Sequence, residues 1–337
     1  MESAIPGHLL VERTRPRRVP DEYAPPYPSF VARSATSVRQ VVMAYFGLQF
    51  RGPVLDALDV LDAAFAAPDG PGHHDRAVQE RPDGLTEIVS IAYWTDPALF
   101  DRWFAVHREA WLGDAVRDGN GRWAEVLRPR VEEHETLFSS TGRPEGVAVL
   151  ADTLSGEIQE HAYWGGMRDR IPLSQTDALA PSGAPVVERD GGRVRIRPAG
   201  GICLIRSGQD WTDTEGDERQ MYLRDVEPVL RAGMDFLRDD GATIGCYANR
   251  YLTVVEDGQP VDRSFGMSWW RSLDALERWA ESHPTHVAIF GAAMRYLMTM
   301  GPAARLRLYH EVSVARAEEQ YFEYVDCVEG TGMLGAS

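Results

Sequence analysis

Tyr93-Trp94-Thr95-Asp96-Pro97-Ala98-Leu99-Phe100-Asp101-Arg102-Trp103 reads as the end of a strand running into a helix. It returns in the second half of the chain as Trp269-Trp270-Arg271-Ser272-Leu273-Asp274-Ala275-Leu276-Glu277-Arg278-Trp279. Asp96, with Pro97 at the first helical position, and Ser272 are helix N-caps by type, since their side-chain oxygens accept backbone N–H groups that a first turn leaves unpaired. The two copies are offset by 176 positions, and His134-Glu135 falls on His310-Glu311 at the same offset. Agreement at two distant places predicts an internal duplication. Chance matching around a common aromatic strand-to-helix junction is the alternative.

Working outward, Val41 to Phe50 is a β-prone apolar run, Pro53 to Ala67 has helical spacing, Thr86 to Trp94 is a strand and Asp96 to Leu112 a helix. The order then repeats. Val194 to Ser207 is strand-like with a Gly200-Gly201 turn, Thr214 to Arg238 is largely helical, Ala242 to Val255 and Phe265 to Trp270 are strands, and Ser272 opens a helix. Strands interleaved with helices, some of them polar-alternating as antiparallel strands are, predict an α+β fold of tandem ferredoxin-like repeats with antiparallel sheets. Residues 1–36, rich in proline and arginine, form an N-terminal arm over the surface. Residues 37–180 form the first ferredoxin-like half and residues 181–337 the second, joined by a Pro- and Gly-rich connection over 174–193.

A chain of 337 residues with 44% hydrophobic and 26% charged content is that of a soluble globular protein. No apolar run is long enough to span a bilayer. The net charge of −16 argues against nucleic acid and against an anionic membrane surface, both of which need clustered positive charge. Cys203, Cys246 and Cys327 are too few and too scattered for a zinc cluster or disulfide framework, so a cytoplasmic location is expected. The sequence contains no lysine, which excludes Schiff-base and P-loop chemistry.

Two histidines stand out. Arg305-Leu306-Arg307-Leu308-Tyr309-His310-Glu311-Val312-Ser313-Val314 alternates, so His310 shares a strand face with Leu306, Leu308, Val312 and Val314. That face points towards a core or a lined cavity, while Glu311 faces away. His286 leads an apolar stripe with Phe290, Ala293 and Leu297 on a helix starting near Pro284. Small Gly291 and Ala292 beside the stripe leave room for a large flat group such as haem, with the imidazole as axial ligand. A helix-start histidine that bonds a carbonyl or merely faces solvent, and a core histidine satisfied by a nearby carbonyl, are the commoner outcomes on spacing alone. His73-His74-Asp75 reads as a loop, and Glu132-Glu133-His134-Glu135 as a solvated acidic face.

Several words of the sequence occur together in one family. Glu281-Ser282-His283-Pro284-Thr285-His286, Arg307-Leu308-Tyr309-His310-Glu311-Val312-Ser313-Val314, Ile205-Arg206-Ser207-Gly208-Gln209-Asp210-Trp211 and His161-Ala162-Tyr163-Trp164-Gly165 resemble the haem-containing aldoxime dehydratases. So do Gly233-Met234-Asp235-Phe236-Leu237-Arg238, Thr331-Gly332-Met333-Leu334, Met1-Glu2-Ser3-Ala4-Ile5 and Arg18-Val19-Pro20-Asp21. The resemblance implies a cytoplasmic, homodimeric lyase of the dimeric α+β barrel type. Such a lyase removes water from a small-molecule aldoxime, R–CH=N–OH, to give a nitrile on ferrous haem b. By motif it assigns His286 as axial ligand and His310 as the distal acid–base group. It assigns Ser207 to the substrate hydroxyl, Arg170 as the distal arginine and Glu135 as the partner of His310. The match of Glu135 to the outward Glu311 requires either a bulge or a different route into the site. A peroxidase-like haem enzyme and a non-enzymatic haem sensor or carrier are the rival readings.

Overall fold

The computed structural model describes residues 1–52, 57–114, 119–162 and 166–336. The first part of the chain runs β1 (Ala32–Arg33), β2 (Val42–Phe50), α1 (Asp59–Phe65), β3 (His73–Glu80), β4 (Thr86–Trp94), α2 (Pro97–Leu112), β5 (Gly121–Leu127), β6 (His134–Phe138), β7 (Thr153–Leu154) and α3 (Gly166–Arg170). It continues with β8 (Val186–Asp190), β9 (Arg193–Arg197), β10 (Ile202–Asp210), α4 (Gly216–Met221), α5 (Glu227–Asp239), β11 (Cys246–Glu256) and β12 (Gln259–Trp270). The remaining elements are α6 (Leu273–Ser282), α7 (Pro284–Met300), β13 (Arg307–Ala315) and β14 (Gln320–Val325).

Twelve of these strands form one antiparallel sheet in the order β6-β13-β10-β12-β11-β3-β4-β2-β5-β14-β9-β8. The strands β2, β3, β4 and β5, with helices after the first and third, lie side by side as β5-β2-β4-β3. In the same way β10, β11, β12 and β13 lie as β13-β10-β12-β11. The two sets join where β3 meets β11, with Val78 opposite Thr253 and Ala77 opposite Val254. Among the described residues no helix is long and apolar enough to cross a membrane.

The caps read from sequence form as drawn. Asp96 accepts the Ala98 N–H at 2.8 Å, and Ser272 accepts the Ala275 N–H at 3.2 Å. Each cap leads its helix onto the outer face of its sheet. There Trp94, Phe100, Trp103 and Trp111 are buried in one half, and Trp270, Leu276 and Trp279 in the other. The inner faces pack together through Tyr45, Tyr93, Trp123, Phe265, Met267, Trp269 and Tyr324. Most central strands are therefore covered on both sides, and β2 is buried at every position except its last.

This double burial corrects several expectations. In β13, Tyr309, Glu311 and Ser313 are as enclosed as the residues facing the other way, and Glu311 is only 3% exposed. Alternation sorted the residues onto two faces correctly but could not say that both were covered. His73-His74-Asp75 belongs to strand β3 and is not a loop. The acidic run is not a solvated face, since Glu133 and Glu135 are buried. The second anchor of the duplication also fails. The strand in the position of β13 is β5, whereas His134-Glu135 lies on β6, an added strand that pairs onto β13 itself.

Other expectations need smaller adjustments. The helix over Thr214 to Arg238 is broken by a π-turn at Tyr222–Val226. The strand expected from Ala242 begins at Cys246. The strand over Val194 to Ser207 is two strands divided near Gly200-Gly201. Of the helix expected over Pro53 to Ala67, residues 53–56 lie outside the described residues and Asp59–Phe65 is helical.

Candidate active site

Strands β10 and β13 place Ser207 directly opposite His310, so the two side chains project from the same face of the sheet. Glu135 reaches that face from β6, where it stands opposite Val312. A glutamate matched by sequence offset to Glu311, which projects from the reverse face, comes to this face by a different route. No bulge is needed, because an extra strand carries it there.

Arg170 closes the cluster from α3. Its Nε donates to Glu135 Oε2 at 2.7 Å and its Nη2 to Oε1 at 3.1 Å, a two-point pairing of guanidinium with carboxylate. Its Nη1 donates to the Glu160 carbonyl at 2.7 Å. His310 Nε2 sits 2.9 Å from Glu135 Oε1 and 2.9 Å from Arg170 Nη2. As an N–H that nitrogen donates to the carboxylate, and as a lone pair it accepts from the guanidinium. Either state has a partner. Burial alone would raise the Glu135 carboxyl, but the charges and hydrogen bonds of Arg170 and His310 hold it down at about 2.

Helix α7 packs over the same face of the sheet: its Ile289 shares one buried cluster with Ile205 of β10, and its Leu297 another with Leu308 of β13. His283 caps its start and bonds Thr285 Oγ1 at 2.9 Å, so the first histidine of Ser-His-Pro-Thr-His is structural. The second, His286, lies edge-on to Trp279 with ring centroids 4.4 Å apart. Its Nδ1–H donates to the Ala280 carbonyl at 2.9 Å, which puts the lone pair on Nε2, and burial lowers its pKa to about 4. A neutral imidazole with Nδ1 fixed by a carbonyl is the form that binds a metal through Nε2.

His286, Phe290, Ala293 and Leu297 are all half-buried, and only Ala292 and Tyr296 of α7 are fully covered. On the sheet, Ile205, Ser207, Leu308 and His310 are also half-buried. Half-buried apolar positions on a helix and on the sheet face it packs against are of the kind that a flat group such as haem would cover, with His286 as the side chain that would hold its iron. The layers are connected through α5. Met234 lies so close over Gly266, the other strand neighbour of Ser207, that a Cβ there would come within 2.6 Å of its sulfur. Next to it, Gly233 allows Ile289 of α7 to approach.

Sequence reasoning missed the groups that hold Arg170 in place. Asp169 accepts the Arg18 N–H at 2.9 Å and the Val19 N–H at 2.7 Å. Glu160 accepts the Ala4 N–H at 2.8 Å. The N-terminal arm is thus pinned to the segment that carries Arg170, where the sequence suggested only a surface covering. The alternation of acid and base in Arg168-Asp169-Arg170 was the available signal. His161 also lies beside the cluster, its pKa lowered to about 4 by burial and then by Arg170. Tyr163, Trp164 and Gly165 of its motif lie outside the described residues.

A family profile described as haem-containing dehydratase matches residues 44–333. The aliphatic aldoxime dehydratase of Pseudomonas chlororaphis is 46% identical, covering 99% of this chain and 98% of that protein. The phenylacetaldoxime dehydratase of Bacillus sp. (strain OxB-1) is 32% identical over 94% of both. A crystal structure of an aldoxime dehydratase in complex with butyraldoxime superposes with a TM-score of 0.95 at 45% identity, covering 100% of this chain and 97% of that one.

Proposed function

The chain belongs to the haem-containing dehydratases, and from that premise we propose that it converts aldoximes to nitriles by removing water, using ferrous haem b held by His286. The observation that carries the roles is the position of His310 Nε2, 2.9 Å from both Glu135 and Arg170 and on the strand directly beside Ser207.

Haem held by His286 would supply an iron able to bind the aldoxime nitrogen and donate electron density to it. The side chains provide the proton movements. In R–CH=N–OH the hydroxyl must leave as water, and the hydrogen on carbon must be lost. Protonated His310 gives its proton to the hydroxyl oxygen, and the neutral imidazole then takes the proton from carbon, leaving R–C≡N and water with His310 reset. Ser207 holds the hydroxyl oxygen in line with that transfer. Glu135 stabilises the imidazolium through Nε2, and Arg170 holds that carboxylate in place.

Aliphatic aldoximes are the first substrates to try, since identity is 46% to the aliphatic relative against 32% to the phenylacetaldoxime one. We also propose that the halves, 37–180 and 181–337, are ferredoxin-like repeats behind the arm 1–36, with β6 lent to the second sheet and β8, β9 and β14 to the first. The shared strand order supports this. A homodimer and a cytoplasmic location belong to the same reading. The test is direct: haem-loaded, reduced protein is mixed with butyraldoxime and phenylacetaldoxime, and nitrile is measured. A fully loaded preparation that forms no nitrile from either overturns the function.

A further inference from the structure

Behind the proposed site lies a second buried cluster. Arg206 and Glu311 stand opposite one another on β10 and β13, one residue from Ser207 and His310, and project from the reverse face. Tyr93 of β4, in the first half, sits between them. Its hydroxyl accepts from Arg206 Nη1 at 2.7 Å and donates to Glu311 Oε1 at 2.6 Å. Arg206 Nη2 also donates to Asp75 of β3 at 3.0 Å, and the guanidinium lies 4.1 Å from the Phe265 ring centroid. The Val147 N–H donates to the other Glu311 oxygen at 2.9 Å. Arg206 is wholly buried.

We propose that Tyr93 is a positioning residue for the dehydration, acting through Arg206 and Glu311 to hold Ser207 and His310 in one geometry. The proposal rests on the function proposed above. The physical reason is the stiffness of a strand pair. Side chains alternate across the sheet, so anything that locks Arg206 against Glu311 also fixes the backbone from which the next two side chains leave. Small displacements of reacting groups are costly in rate. The first half already supplies Glu135 and Arg170 to the site face, and Tyr93 adds a clamp from the reverse face.

The molecule contains its own control. A similar buried network at another place between the sheets has Tyr324 donating to Glu125 Oε1 at 2.9 Å, with Arg250 paired to the same carboxylate. No proposed site residue lies directly behind it. The experiment compares haem-loaded wild type, Tyr93→Phe and Tyr324→Phe for melting temperature, kcat, KM and the C–O stretch of the ferrous carbon monoxide complex, which senses distal polar groups. Each substitution removes one buried hydroxyl, so both lower the melting temperature. Tyr93→Phe alone should lower kcat about tenfold, with KM within about twofold, and should shift or broaden the C–O stretch. Glu311→Gln, which keeps the size of the side chain, repeats the comparison from the other end if Tyr93→Phe does not fold. A C–O stretch in Tyr93→Phe or Glu311→Gln identical to wild type, or an equal loss of kcat in Tyr93→Phe and Tyr324→Phe, overturns the proposal. If wild type makes no nitrile, the function reading fails, and the C–O stretch still decides the clamp.

Discussion

Glu135 and His310 are bonded diagonally across two antiparallel strands. Glu135 stands opposite Val312, yet its Oε1 lies 2.9 Å from the Nε2 of His310, two residues along β13. Diagonal pairs in a sheet lie within reach of long side chains. The displacement matters because it leaves room for Arg170 Nη2 to come within 2.9 Å of the same nitrogen.

Replacing His310 by alanine should retain haem and fold while reducing nitrile formation by about 10²–10⁴, the range of a lost acid–base group. The Soret spectrum and product yield check this together. Near-normal turnover would remove His310 from the proposed role.

The axial assignment makes the opposite demand. His286→Ala should lose its Soret absorbance on gel filtration, and added imidazole should restore part of it by occupying the vacated position. Unchanged haem retention in the variant would require a different ligand.

Glu135→Gln keeps the shape of the side chain but leaves the buried Arg170 guanidinium without its carboxylate, which should cost about 3 kcal/mol in chemical denaturation. Turnover should fall as well, since His310 Nε2 loses its carboxylate partner. Turnover equal to wild type means that Glu135 only holds Arg170.

Acid should unfold the apoprotein well above the range of ordinary carboxylates. Burial lowers His134 and His161 from 6.5 to about 4 in the folded chain. The unfolded chain therefore takes up these protons near pH 6.5, while the folded chain resists them until about pH 4. Their contribution is fully present above pH 6.5 and is lost as pH falls to about 4, each pKa unit being worth about 1.4 kcal/mol. Melting temperatures measured across that interval should fall steadily, and His161→Phe should flatten the fall.

Asp169→Ala should release the arm without touching the cluster directly. The Arg18 and Val19 N–H groups lose their acceptor, so hydrogen exchange at both should rise and Arg170 should become less ordered. Wild-type exchange at both amides would show that other contacts hold the arm.

Local chemistry was legible before the fold was known. The Asp96 and Ser272 caps, the strand at Thr86–Trp94 and the stripe from His286 to Leu297 follow from side-chain type and spacing, because each is decided within a few residues of chain. The motifs carrying Ser207, His286 and His310 were likewise readable as a family resemblance. What sequence could not supply was which buried face lay against which neighbour. Alternation separated His310 from Glu311, but only a sheet packed on both sides buries the second. An offset of 176 paired Glu135 with Glu311, but only strand pairing moved Glu135 onto β6 and across to His310. Nor does the separation of Arg170 from His310, or of Tyr93 from Glu311, leave any local trace, because such contacts depend on where the sheet brings distant strands together. The sequence by itself determined the elements and the kinds of chemistry they carry. The tertiary structure decided which of those groups meet, since burial and register are properties of the assembled sheet and of no single segment.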